Sequence, residues 1–294
     1  MTTSARPLPA ASRSRRVSPA SSPEDLALSP DGSEQPLRGG LAAFWALAFG
    51  LSWAPWGGAW LLGGDLADPV AFALYALGGF GPTLAALVLR AGGRRSPRAA
   101  RWGAAGRWLP AAIGVGSAPA VVTALLVPGL GGAPADLSAG AAAVVAAGGP
   151  VLFALVSLWA GPLSEEFGWR GYAQPRLRRR RSPLATSVVL GAVWAVWHLP
   201  LFALTGTWQS SLGLASVEAA LFLLAMIPLS SAYWLVSERL RGGVPGAVAL
   251  HLVGNAALTF LAVTSPLAMA VYVGVIVVTS VLIHLVTRPG APRP

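Results

Sequence analysis

The sequence predicts an all-α fold: a polytopic membrane helical bundle of about eight transmembrane helices with both termini in the cytoplasm. Two observations carry that prediction. Of 294 residues, 54% are hydrophobic and only 11% are charged, whereas roughly a quarter of a soluble domain is charged. The mean hydropathy is +0.62, and because the first forty residues are polar, the apolar remainder must lie in long runs of the kind that span a bilayer. The second observation is the placement of the arginines, all of which but one fall in alternate loops.

Residues 1–38 are rich in Ser, Pro and Arg and contain no apolar run, which predicts a disordered cytoplasmic tail without a signal peptide. Apolar runs follow at 41–63, 69–89, 108–128, 139–175 (interrupted), 184–204, 213–236, 244–264 and 266–287. The predicted transmembrane domain covers 39–288, with 289–294 a short cytoplasmic tail. Basic residues precede the first run (Arg6, Arg13, Arg15, Arg16, Arg38) and follow the second, fourth, sixth and eighth. The opposite loops hold Asp65, Asp68 and Asp136 and no Arg. Short cytoplasmic loops collect positive charge, so eight spans satisfy every loop. Topology therefore accounts for the net charge of +10, and nucleic acid is not an expected partner. The chain has no cysteine, which excludes disulfides, thiolate catalysis and cysteine-ligated metals.

Ionisable residues inside spans are costly and mark function by default. Here they are Glu165, Glu166, Arg170, His198, Glu218, His251 and His284, with Asn255 as a neutral companion. At about 1.5 Å per helical residue, Glu165 lies roughly 20 Å from Arg178, and His198 roughly 22 Å from Pro183. His251 and Asn255 lie roughly 15 and 21 Å beyond Arg241. Groups from three spans thus reach one depth near mid-membrane, while Glu218 and His284 fall near span ends and read as interfacial.

Spacing adds detail. Glu166 and Arg170 are four apart and can pair on one helix face, as can His251 and Asn255, and Trp194 sits beneath His198 at the same interval. Each group also has a structural reading. The stretch 165–181 can lie flat on the headgroups as an ion pair if the helix stops near Pro162. His198 can be satisfied by a backbone carbonyl, and His251 with Asn255 can be an interhelical clamp. The set also suits a non-hydrolytic membrane protein, either an ion or proton transporter or a substrate-binding scaffold, although no internal repeat of the kind common in transporters is visible.

The ordered trio Glu165-Glu166-x-x-x-Arg170, Trp194-x-x-x-His198 and His251-x-x-x-Asn255, each on its own span, resembles the CPBP family of intramembrane proteases. That family includes type II CAAX prenyl endopeptidases and the Abi proteins. The similarity covers about 138–264, and Gly168-Trp169-Arg170-Gly171-Tyr172 extends it; Trp194 stands where Phe is more usual. The resemblance implies peptide-bond hydrolysis of a membrane-associated protein or peptide, in a cavity open to the membrane and cytosol of a bacterial cytoplasmic membrane. It implies that Glu165 and His198 activate the attacking water, that His251 and Asn255 stabilise the oxyanion, and that Glu166 and Arg170 hold the geometry. It leaves the metal question open: Zn²⁺ or another divalent ion held by Glu165, His198 and His251, or a metal-free glutamate mechanism. Membrane lipids and the substrate are the expected partners.

Overall fold

The computed structural model describes residues 37–91 and 102–287. Helix α1, Leu37–Leu61, begins two residues before the expected domain boundary. The expected disordered tail, apart from its last two residues, the basic loop bearing Arg94, Arg95, Arg98 and Arg101, and the C-terminal tail with Arg288 and Arg293 lie outside the described residues. Among the described residues there is no strand, only an isolated bridge between Asp65 and Thr205.

The remaining helices are α2 (Pro69–Gly79), α3 (Gly81–Ala91), α4 (Ala105–Leu126), α5 (Ser138–Ala146), α6 (Pro150–Leu158), α7 (Ser164–Gly168), α8 (Gln174–Arg178), α9 (Pro183–Trp197), α10 (Trp208–Leu212), α11 (Val217–Trp234), α12 (Gly243–Phe260) and α13 (Pro266–Val286). Every apolar run becomes one helix or a succession of shorter helices separated by breaks. Five helices containing α4, α9, α11, α12 and α13 are long and apolar enough to cross a bilayer unbroken. The count rises to seven with two bent pairs, α2 with α3 at 51° and α5 with the 150–178 segment at 88°. This is a multi-pass membrane protein. Helix α1 has the length of a span at 25 residues, but Trp45, Trp53, Trp56, Trp60 and its glycines dilute its hydropathy.

Local chemistry sets the helix starts. Asp68 accepts from the amides of Val70 and Ala71 at 2.8 Å, with Pro69 following. Ser182, Ser216 and Ser265 cap α9, α11 and α13 in the same way. Such caps satisfy amides that have no partner within the helix. The bend between α2 and α3 falls at Gly81-Pro82, where proline removes a helical donor.

Helix α11 packs along both α9 and α13, α12 along α4, and α3 against α7. Small residues allow these approaches: a Cβ on Gly191 of α9 would lie 2.5 Å from the Cα of Ile227 on α11. Large aliphatics such as Leu125, Val145, Val151 and Val278 are well exposed on the outer surface, as expected where lipid rather than water is the solvent. The polar side chains are gathered instead around α7, between α3, α9, α11 and α12.

Candidate active site

The site is built on a broken helix. At Ala160 and Gly161 the backbone leaves helical geometry, with Gly161 at φ 117°, ψ −78°, a conformation open to glycine and very unfavourable with a Cβ. The helix restarts at Pro162, and Ser164 ties the break: its hydroxyl accepts from the Gly161 amide at 3.0 Å and donates to the Gly161 carbonyl at 3.1 Å. Glu165 and Glu166 therefore occupy the first turn of the restarted helix, where the dipole favours negative charge. The break near Pro162 exists, but the chain does not then run flat along the headgroups. Glu165, Glu166 and Arg170 are 6%, 0% and 3% exposed, so the interfacial reading of this stretch fails.

Two indoles hold Glu165. Trp194 Nε1–H donates to its Oε2 at 2.7 Å and Trp169 Nε1–H to the same oxygen at 3.3 Å, which leaves Oε1 for the cavity. Glu166 is held differently. Its Oε1 accepts from Arg170 Nη1 at 3.1 Å and from His251 Nδ1 at 2.8 Å. The guanidinium of Arg170 lies 3.7 Å from the ring centroid of Tyr233 and 4.5 Å from that of Trp194, so its faces are stabilised by aromatic quadrupoles. With the carboxylate of Glu166 behind Nδ1, His251 presents Nε2 outward. His198 donates Nδ1–H to the Trp194 carbonyl at 2.8 Å, since a carbonyl can only accept. Its Nε2 is the nitrogen left for chemistry. Trp194 thus orients both Glu165, through its indole, and His198, through its backbone.

Three of these outward groups converge. A Cβ on Gly161 would stand 3.3 Å from His251 Nε2, 3.6 Å from Asn255 Nδ2 and 3.6 Å from Glu165 Oε1. That point lies in a cavity of about 1410 Å³ lined by Glu165, His198, His251, Asn255, Gly161 and Tyr233 among others. All six residues expected at the site are therefore together, four on the cavity wall and Glu166 and Arg170 behind it. His251 bonds Glu166 on another helix rather than pairing with Asn255 on its own face, and the Asn255 amide, without a hydrogen-bond partner among the described residues, faces the open cavity. Glu165 and His198 reach the cavity separately, each oriented by Trp194. Glu218 lies in the capped first turn of α11. His284 stacks on Trp234 and bonds Ser231 at 3.0 Å, pinning α13 to α11.

Residues 147–287 match the family described as type II CAAX prenyl endopeptidase Rce1-like. That match covers just under half of the chain, and in it the chain is similar to the CPBP, or CAAX protease, family. Among curated proteins, CAAX prenyl protease 2 of Methanococcus maripaludis is 31% identical over 116 residues, 39% of this chain. The chain spans about 42% of the length of that relative. Against the CPBP motifs, the residues that the sequence did not single out are Trp169 as a donor to Glu165, Tyr233 as the platform for Arg170, and Gly161. Only Trp169 carried a signal, as part of the extended motif.

As metal donors, Glu165, His198 and His251 have suitable atoms. Yet among the described residues no three His, Asp or Glu side chains are gathered as an ion's ligands would be. His198 and His251 instead flank the Trp194 ring, with centroids 5.6 and 5.8 Å away. The chemistry below uses the side chains alone.

Proposed function

We propose that this protein is an intramembrane endopeptidase of a bacterial cytoplasmic membrane that hydrolyses a peptide bond in a membrane-associated protein or peptide. The observation that supports it best is the convergence of Glu165 Oε1, His251 Nε2 and Asn255 Nδ2 on one point beside Gly161. A carboxylate oxygen and two nitrogen groups around a space the size of one reacting carbon is the set that acyl transfer to water requires.

In this reading Glu165 Oε1 takes a proton from water, and the oxygen adds to the scissile carbonyl carbon. The two indole donors fix Glu165 so that only Oε1 is free to act, and His198 Nε2 orients the water from the cavity wall. Negative charge develops on the carbonyl oxygen, where Asn255 and a proton on His251 Nε2 meet it. As the C–N bond breaks, Glu165 returns the proton to the departing amine.

Charge balance permits this assignment. Arg170 neutralises Glu166, so Glu165 and His251 share one remaining proton if the buried cluster is to stay neutral, and isolated buried charge is expensive. With the proton on His251, Glu165 is a base and His251 a donor, the pair the mechanism needs.

The test is cleavage of a model transmembrane peptide by purified protein in proteoliposomes. Glu165→Gln keeps the shape and both indole contacts and is expected to abolish cleavage, with His198→Ala and His251→Ala strongly impaired. Unchanged cleavage by all three folded variants refutes the assignment. Metal analysis before and after chelation, with activity measured in parallel, decides whether an ion takes part.

A further inference from the structure

We propose that the reaction cavity opens to the non-cytoplasmic face of the membrane, so that the bond cut lies in the part of a membrane-anchored substrate exposed there. The direction of opening stands on the cavity's geometry together with the charge of the helix ends. The statement about the substrate rests on the hydrolytic reading above.

Two sets of helix ends can be told apart by contact and by charge. At one set, Arg90 at the end of α3 donates to the Gly171 carbonyl at 3.0 Å, and Arg178 of α8 pairs with Glu238 beyond α11 at 2.9 Å. Arg107, Arg239 and Arg241 belong to the same ends. At the other set, the loop after α1 is joined to the 199–207 segment through Leu66 and Thr205 at 3.0 Å. There α5 also meets the end of α12, where a Cβ on Gly140 would touch Phe260. Among the described residues every arginine except Arg170 lies at or beyond the first set of ends, and Asp65, Asp68, Asp136 and Glu218 lie at the second. A one-sided excess of short-loop arginines marks the cytoplasmic side.

The cavity extends toward the second set only. Its wall takes Trp194 to Leu201 from the far end of α9 and its extension, Leu221 to Tyr233 from α11, and Leu250 to Thr259 from α12. It continues through 65–67, 206–209 and 262–264, all loops at the arginine-free ends. None of the wall comes from residues 166–182 or 234–249. Those residues close the floor: the Glu166–Arg170 pair between Tyr233 and Trp194, then Gln174 donating to Ser237 at 3.0 Å, then Arg178 with Glu238. A peptide reaching Glu165 from the cytoplasm would have to break each of these layers, whereas from the other side it meets none of them. The proposed opening differs from the one to the cytosol that the family resemblance implies. At about 1410 Å³ the space exceeds the roughly 300–1,000 Å³ of small-molecule pockets, and walls bearing Phe72, Phe222, Leu258 and Met269 suit an extended apolar segment flanking a membrane anchor.

The natural absence of cysteine permits a direct test with single substitutions and a membrane-impermeant maleimide. Thr264→Cys at the mouth and Leu258→Cys inside the cavity are expected to label in spheroplasts and not in sealed inverted vesicles. Arg180→Cys should show the reverse. Labelling of Thr264→Cys only in inverted vesicles, or of Leu258→Cys from the cytoplasmic side or from neither side, overturns the proposal. Adding Glu165→Gln should leave every labelling pattern unchanged while removing cleavage, so loss of the hydrolytic reading and loss of the access side are separate results. A single-span reporter whose cleavable segment faces outward should be cut, and the same segment facing the cytoplasm should not. Cutting of the cytoplasmic version alone again overturns the proposal.

Discussion

Gly161→Ala tests whether the point beside Gly161 is the reacting centre. The substitution has two consequences that the structure separates. At φ 117° any side chain strains the backbone, by about 1–3 kcal/mol. The added methyl also stands 3.3 Å from His251 Nε2 and 3.6 Å from both Glu165 Oε1 and Asn255 Nδ2, filling the space where donors must approach an oxyanion at about 2.7–3.1 Å. Displacing a reactant by about 1 Å can cost on the order of 100-fold, or about 2.7 kcal/mol of barrier. Gly149→Ala supplies the control, because Gly149 has φ 110° and a Cβ there meets nothing within 4 Å. Both variants should melt at similarly lowered temperatures in detergent, and only Gly161→Ala should lose kcat/KM, by ~100-fold or more. If Gly161→Ala cleaves the model peptide as well as Gly149→Ala, the reacting atoms do not meet at this point.

Other expectations follow from the same contacts. Trp194→Phe keeps the ring against Arg170 and His198 but removes the 2.7 Å bond to Glu165; a hydrogen bond to a charged group contributes about 1.5–3 kcal/mol, so turnover should fall between ten- and a hundredfold with binding little changed. Arg170→Ala strands the buried carboxylate of Glu166, and removing one partner of a buried pair costs about 3–5 kcal/mol, measurable as unfolding in detergent at lower temperature. Outside the membrane, the Ser138 hydroxyl, followed by its amide, holds the Asp136 carboxyl below the usual carboxylate range. A lowered folded-state value stabilises the turn above that range and loses effect as pH falls through it. Cutting of the loop by an acid-active protease should therefore rise on acidification, and Asp136→Asn should erase that pH step.

Much of the site was legible because a helix has a fixed rise. Counting from arginine anchors and from the helix start at Pro183 placed Glu165, His198, His251 and Asn255 at one depth, and the four-residue spacing of Glu166 and Arg170 foretold their ion pair. What a rise cannot give is azimuth. In a membrane helix almost every face is apolar, so periodicity does not report which side turns inward. His251 was therefore as free in the sequence to meet Asn255 as to meet Glu166, 85 residues away. For the same reason the indole of Trp194 on Glu165 and the ring of Tyr233 on Arg170 were invisible. The break before Glu165 was half legible: Pro162 announced it, but only packing by α3, α9 and α12 decided that the chain beyond it stays buried.

The sequence by itself determined that this chain crosses a membrane many times, which helix ends carry the positive charge, and which few polar side chains lie at depth. Those follow from solvation cost and helix rise, both local properties. The tertiary structure decided which oxygen of Glu165 is free, which partner His251 takes, and on which side of the reacting groups the bundle is hollow. These depend on how helices rotate and tilt against one another, and close packing of small residues such as Gly191 rather than any local pattern sets that rotation.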